Sequence, residues 1–496
     1  MVFFQSRMTL VLLGAAEAAS LLLVFCLYRA ATKPDVSSFL YSSTGIICLG
    51  SVITIMASMG WIVRSVRRSD ALARKRMMMA FGLSLLIAAS LFLSMEISVR
   101  FFSKQTARGL MVLGVLLEPR DWEAFRAEHE AVLENLTQGR GYLVHDRILG
   151  WTVAPSQSNK ADREASSEEG LRSPLTGMSF ADPRTRHAGP SMYPASVRVA
   201  LIGDSMTFGY EVRCEETWAH ALEGFLQPDA QVLNFGVSAY GVNQAYLRYA
   251  KDVRGWHPDL VIVGITSEMV RRINSVYPFL MNREWGTFPF ARPRLVEREG
   301  VPFAINSPVP PPQKIFSYAA IAELPSLHLD DYYDPLLWGR GGAWAVIEKS
   351  YAFRFVNSLR PPARVQSTDT VGHATLMSRF VVQNLVRTIA ADGSIPLVVW
   401  LPYRSEIQKL SEPAATEPAL AVRMLREAGI SYYDATDCLI DAGLSEAYTD
   451  GGHYSPKANA RLAHCLAPVV QGALIENKRS HSAPDASISG KAAARR

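Results

Sequence analysis

Three apolar runs crowd into the first hundred residues, and no other feature restricts the folding of this chain so strongly. Residues 8–28, 39–63 and 77–99 are each long enough to cross a hydrocarbon core of about 30 Å, which takes about 20 helical residues. In lipid a spanning segment must satisfy its own backbone polar groups, so each run predicts a transmembrane helix. Ala16-Glu-Ala18 superficially resembles a small-residue cleavage site, but the first run continues to Tyr28 and two more follow, which argues against a cleaved signal peptide. The loop between the second and third runs carries Arg64, Arg67, Arg68, Arg74, Lys75 and Arg76, against Arg29 and Lys33 in the first loop. Basic loops remain cytoplasmic. The chain beyond Val99 is therefore expected outside an inner membrane, which in a bacterium with two membranes is the periplasm, with the lipid bilayer as the first partner.

The remaining four hundred or so residues need at least one large core, and a 49% hydrophobic composition over 496 residues supplies it. The formal net charge of +5 is small, and the basic residues form no stripe interleaved with aromatics, so nucleic acid is not an expected partner. Five cysteines include no C-x-x-C pair and no zinc spacing, so neither a metal site nor a cofactor is indicated.

Residues 101–195 read as a connecting segment: a juxtamembrane helix over 121–138, with Trp122, Phe125, Val132 and Leu136 on one face, then chain rich in Ser, Arg, Glu and Pro. From residue 196 to 476 the pattern changes to strands alternating with helices. Strands are predicted at 197–202, 231–235, 259–265, 395–401 and 430–434, and helices at 215–226, 242–253, 374–391, 418–428 and 455–473. Five strands spaced by helices imply an α/β fold, a three-layer α/β/α sandwich around a five-stranded parallel sheet. A long insertion at about 270–372 interrupts the rhythm; its Trp285, Phe288, Tyr318, Tyr332, Tyr333, Trp338 and Trp344 can build a core of their own or face a substrate. Residues 477–496, with few apolar side chains, read as a disordered tail.

The chemistry begins where the first strand ends. An apolar run from Val199 breaks at Gly203 and delivers Asp204, Ser205 and Thr207, and ligands of parallel sheets sit beyond the carboxyl ends of strands. A serine hydroxyl needs a base to take its proton, and the base works best when a carboxylate fixes its tautomer. Asp450-Gly-Gly-His453 places a carboxylate and an imidazole on a Gly-rich turn, before a helix that Ser455 and Pro456 can start. Ser205 is thus the candidate nucleophile, His453 the base and Asp450 its orienting carboxylate.

These blocks resemble the SGNH, or GDSL-like, hydrolase family in its membrane-attached form. Gly203-Asp-Ser-Met-Thr-Phe-Gly209 is similar to the family's first block, residues 233–241 to the second, and Asp450 with His453 to the last. Leu149-Gly-Trp151 and Gly170-Leu-Arg172 are similar to stretches that precede the catalytic domain in such members. The resemblance implies an oxyanion hole built from the backbone N–H groups of Ser205 and Gly236. It also implies an asparagine after the third strand, but the chain reads Gly264-Ile-Thr-Ser-Glu-Met269 there; Ser267 is the candidate substitute, with Asn274 farther off. Loss of such a donor costs about 10²–10³ in rate.

The expected activity is that of a membrane-anchored serine esterase removing acyl groups, acetyl above all, from an envelope or exported polysaccharide, so that an acylated carbohydrate is the expected substrate. Two alternatives share the sequence. A sugar hydroxyl in place of water would make the protein an O-acyltransferase supplied by a partner membrane protein that delivers the acyl donor. Without the asparagine, the fold would also serve a glycan-binding pseudoenzyme. Cys438 and Cys465 flank the catalytic turn, where a bridge between them would brace it, although Cys214 can compete.

Overall fold

The computed structural model describes residues 71–106, 109–158, 164–180, 197–226, 230–281, 287–335, 337–339, 344–359, 368–410 and 417–482. The first two apolar runs, 8–28 and 39–63, and residues 483–496 of the expected tail lie outside them. The chain divides into two compact units, Met1–Arg120 with Pro335–Pro361, and Asp121–Asp334 with Pro362–Arg496. The expected insertion is therefore shared: its stretch Pro335–Pro361 belongs with the first unit and the rest with the second.

In the first unit, helix α1 spans Ala71–Phe102, longer at both ends than the run 77–99. Its stretch Leu85–Phe102 is the one segment among the described residues that is long and apolar enough to cross a membrane. Near its end Met95, Glu96 and Val99 are covered. The Glu96 carboxylate accepts hydrogen bonds from Ser350 Oγ at 2.9 Å and Ala352 N at 2.8 Å, capping the helix Tyr351–Ser358, and pairs with Arg100 at 2.7 Å. A carboxylate at that position thus serves as a structural acceptor. A three-stranded antiparallel meander follows the helix, with Val99, Val112 and Leu117 as the small core of this unit.

The second unit opens with α2, Trp122–Thr137, capped by Asp121, whose Oδ1 accepts the Glu123 N–H at 2.9 Å. Trp122, Phe125 and His129 are its buried residues, stacked among Phe279 and Phe316. The helix expected beside the membrane is thus part of the core of this unit. Then come β1 Val197–Ile202, α3 Ser205–Phe208, α4 Trp218–Leu226, β2 Ala230–Asn234, α5 Val242–Arg248, β3 Leu260–Ile265, α6 Ser267–Arg272, α7 Thr368–Ala391, β4 Ile395–Trp400, α8 Leu420–Glu427, β5 Tyr432–Asp434 and α9 Pro456–Ser482. The last helix runs nine residues beyond its predicted end at 473, so residues 477–482 are helical where a disordered tail was expected.

The five strands form one parallel sheet in the order β5-β4-β3-β1-β2. Alternation along the strands sorts the core into two layers, as a period of two residues demands. Ala200, Ile202, Val261 and Val263 face α5, α6, α7 and α8. Val199, Leu201, Leu260 and Ile262 face α4 and α9 through Trp218, Leu222, Leu462 and Leu466. Side chains of this size contribute about 1.5–3 kcal/mol each when fully buried, so both faces hold the sheet firmly. From β1 the chain goes to β2 on one side and then to β3 on the other. This reversal opens a crevice at the carboxyl end of β1, where Ser205 stands.

Candidate active site

Gly203 ends β1 because no larger residue fits: an added Cβ would lie 2.1 Å from Thr207 Oγ1. Asp204 then caps the single turn of α3, its Oδ1 accepting the Met206 N–H at 3.0 Å. Its Oδ2 accepts from Thr266 Oγ1 at 2.7 Å and from Arg272 Nη1 at 3.2 Å. Asp204 is wholly buried and Ser205 is 7% exposed. The sequence thus locks the backbone at Ser205 and leaves its hydroxyl at the surface of a cavity.

His453 meets that hydroxyl, with Nε2 and Ser205 Oγ 3.0 Å apart. Its other nitrogen, Nδ1, lies 3.1 Å from the carboxylate of Glu211. Glu211 occupies the place expected for Asp450, which is exposed and whose carboxylate bonds to nothing among the described residues. The reason lies in both backbones. Gly209 and Glu211 both adopt left-handed conformations, at φ 77° and 73°, and bring the chain after α3 back towards the histidine. Gly451 leaves the space: a Cβ there would come within 1.7 Å of Glu211 Oε1. Thr449 completes the join, its Oγ1 donating to Glu211 and accepting the His453 N–H at 3.1 Å. Burial pushes the Glu211 carboxyl up, but the hydrogen bonds from Thr449 and His453, with the imidazole's charge, outweigh it and hold the group below its ordinary range. A glutamate six residues after Gly-Asp-Ser and a glycine pair before the histidine are the traces this pairing leaves in the sequence.

The three further oxyanion candidates are engaged elsewhere. Gly236 donates its N–H to Asn234 Oδ1 at 3.0 Å, and its missing side chain is what matters, since a Cβ would lie 2.7 Å from Phe208 N. Ser267 is 2% exposed, donates its hydroxyl to Glu406 and accepts the Ala421 N–H at 3.1 Å. Asn274 is held between Asp331 and Arg294. The residues of the second block that line the cavity at Ser205 are instead Ser238 and Ala239. Ala239 takes φ 68°, unusual for a residue with a side chain, in a turn closed by Tyr240 N to Val237 O at 3.3 Å. Its N–H has no acceptor among the described residues.

The cavity around Ser205 measures about 600 Å³. Tyr142, Phe208, Tyr210, Phe288 and Tyr403 give it aromatic walls, and Glu164, Glu268 and Arg272 supply charge. Of the insertion's aromatics singled out in the sequence, Phe288 is the one among the described residues that lines it; Tyr332 and Trp338 are buried, and Trp285 lies outside the described residues. Cys438 and Cys465 form a disulfide with Cα atoms 6.3 Å apart. Cys214 is buried, its thiol pushed up to about 12 by desolvation, and does not compete. Among the described residues no group of His, Cys, Asp and Glu is arranged to hold a metal ion.

No protein-family profile and no curated protein matches this chain. Among solved structures, it is similar to a lipolytic protein of the G-D-S-L family from Desulfitobacterium hafniense, at 15% identity and a TM-score of 0.28, over 55% of this chain and 99% of that one. It is similar to TesA at 12% identity and a TM-score of 0.29, covering 56% and 99% of the two chains. It is also similar to Axe2, an acetylxylan esterase from Geobacillus stearothermophilus, at 13% identity and a TM-score of 0.29, covering 56% and 94%.

Proposed function

We propose that this chain is a serine ester hydrolase, anchored in the inner membrane with its catalytic unit outside the cytoplasm, that removes acyl groups, acetyl above all, from polysaccharide. The observation that carries the reading is the unbroken relay from Ser205 Oγ through both nitrogens of His453 to Glu211. Ser205 Oγ attacks the ester carbonyl carbon and passes its proton to His453 Nε2, while Glu211 keeps the remaining N–H on Nδ1 and stabilises the imidazolium. The N–H groups of Ser205 and Ala239 hold the oxygen that becomes negative. The C–O bond to the sugar then breaks, the leaving oxygen takes the proton from His453, and the acyl group stays on Ser205. Water repeats the sequence and releases the acid.

Location and substrate rest on other features. The apolar stretch Leu85–Phe102 suits a membrane span, the basic residues 64–76 suit a cytoplasmic loop, and the disulfide suits an oxidising compartment. A wide cavity with aromatic walls and polar groups suits a sugar better than an acyl chain alone. The test uses the full chain in detergent or nanodiscs. A fluorophosphonate probe should label it, Ser205→Ala should abolish the label, and acetate should appear from acetylated but not deacetylated polysaccharide. Absence of both labelling and ester turnover in the parent protein would overturn the proposal. Acetyl groups appearing on an added oligosaccharide instead of in solution would redirect it to transfer.

A further inference from the structure

A hydrolase of this kind needs its oxyanion held, and the third block of this chain offers no asparagine for the task. We infer that Arg272 takes over that task as a positioning residue, clamping together the two backbone segments that hold the oxyanion. The inference rests on the ester hydrolase reading above. Arg272 closes α6, the helix that follows β3. Its Nη1 donates both to Asp204 Oδ2 at 3.2 Å and to Tyr240 O at 3.1 Å. Asp204 immediately precedes Ser205, and Tyr240 immediately follows Ala239. One guanidinium nitrogen thus ties the residue before Ser205 to the residue after Ala239, Ser205 and Ala239 being the two residues whose N–H groups are assigned above to the oxyanion.

The surroundings are built for this clamp. Gly241 lets the turn approach the arginine stem, since a Cβ there would meet Arg272 Cβ at 3.2 Å. A second arginine supports it from behind: Arg292, wholly buried, donates to Ala239 O at 2.9 Å and to Arg272 O at 3.1 Å. The left-handed Ala239 is thus bonded on its carbonyl side by Arg292 and beside it by Arg272, which is the over-determination that keeps a strained residue in place. Arg272 is 5% exposed yet lines the catalytic cavity with Ser205 and His453. Burial works against its charge, but Tyr403, Asp204 and Glu268 outweigh that and hold the group above its ordinary range. A clamp that fixes where the two N–H groups point acts on charge that develops only in the transition state, the condition for raising kcat rather than lowering KM.

The test follows kcat and KM for a small acetate ester, such as p-nitrophenyl acetate, in the full chain and in Arg272→Lys and Arg272→Met. Arg272→Met should lose about 10²-fold in kcat with KM changed less than about threefold, and added guanidinium should restore part of the loss. Arg272→Lys keeps the charge without the fork and should fall between the two. The rate of phosphonate labelling at Ser205 should decline in step with kcat. Parent-like kcat in Arg272→Met, or a loss without guanidinium rescue that Arg272→Lys shares in full, overturns the inference. If Arg272→Met does not fold, Arg272→Lys decides alone: lower kcat at unchanged KM and unchanged thermal midpoint supports the clamp, and any other result overturns it. A parent protein without turnover or label fails the hydrolase reading itself, and the clamp with it.

Discussion

The loop after β1 and the turn before α9 meet at one imidazole, and they contribute unequally. Residues 203–211 provide the hydroxyl of Ser205 and the carboxylate of Glu211, while residues 448–459 provide His453, the Thr449 hydroxyl that bonds to Glu211 and, at Gly451, the space that Glu211 fills. Spacing within the second segment suggests an aspartate and histidine acting together. The backbone instead leaves Asp450 in solvent and brings the acid from 242 residues earlier. Proximity in sequence is thus a weaker guide to a hydrogen bond than the left-handed turn at Glu211, which re-aims a side chain by rotating the chain that carries it.

The largest expected effect falls on the two groups the segments share between them. Ser205→Ala and His453→Ala should each lower kcat by about 10⁴-fold or more, and the double variant should lose little beyond either one, because nucleophile and base act as a unit. Additive losses in the double variant would show that the relay is not the path of the proton.

The comparison is broken or kept by Glu211→Gln. Glutamine can present its amide N–H₂ to Nδ1 and stabilise the wrong tautomer, which in a serine hydrolase relay costs about 10⁴ in kcat. A loss below about tenfold would return the acid to the second segment. The same variant carries a pH signature. The Glu211 carboxyl is held below its ordinary value, so its contribution to stability is present above that value and is lost as pH falls through the depressed one. Thermal midpoints measured from neutral pH downwards should therefore fall more steeply on the acid side in the parent than in Glu211→Gln.

Next in size is the brace on the second segment. The first segment is pinned by the sheet and by Asp204, whereas the second hangs between the helix Thr436–Asp441 and α9, which the Cys438–Cys465 disulfide joins across 27 residues. Closing a loop of that length stabilises the folded chain by about 3.5 kcal/mol in the chain-entropy description. Replacing both cysteines by serine should lower the urea midpoint accordingly, and activity at 25 °C should remain within a few-fold. A collapse of kcat at full folding would mean that the bridge also aims His453.

What the sequence disclosed follows the same division. All five strands were legible because burial on both faces leaves short apolar runs with turn residues at their ends; β1 matches its prediction end to end, and the others lie within two residues. Ser205 and His453 were legible as a pair of positions because each sits just before or at the start of a helix, where Asp204 and Ser455 have the chemistry of caps. Glu211 was not, because its pairing depends on a backbone angle that no propensity specifies for glutamate. Gly236 misled for a related reason. A glycine in a catalytic block invites reading as a donor, while here it is the absence of a side chain against Phe208 N that the fold requires. Ser267 misled because its hydroxyl is spent inside the core on Glu406 and Ala421, ties between elements distant in sequence.

The smallest expected effect is the sharpest test of the comparison. Asp450 is exposed, and exposed groups without partners change stability by about 0.5 kcal/mol or less when replaced. Asp450→Asn keeps the shape of the turn and removes the charge, so kcat should change by less than about threefold, with the thermal midpoint unmoved. Its carboxylate bonds to no member of the relay, so the losses should add, with the double variant Glu211→Gln, Asp450→Asn falling by no more than the two single losses combined. A loss near 10⁴ in Asp450→Asn, with Glu211→Gln close to the parent, would mean that the turn reorganises around bound substrate. The second segment would then supply both base and acid during the reaction, and Glu211 would be its partner only in the resting enzyme.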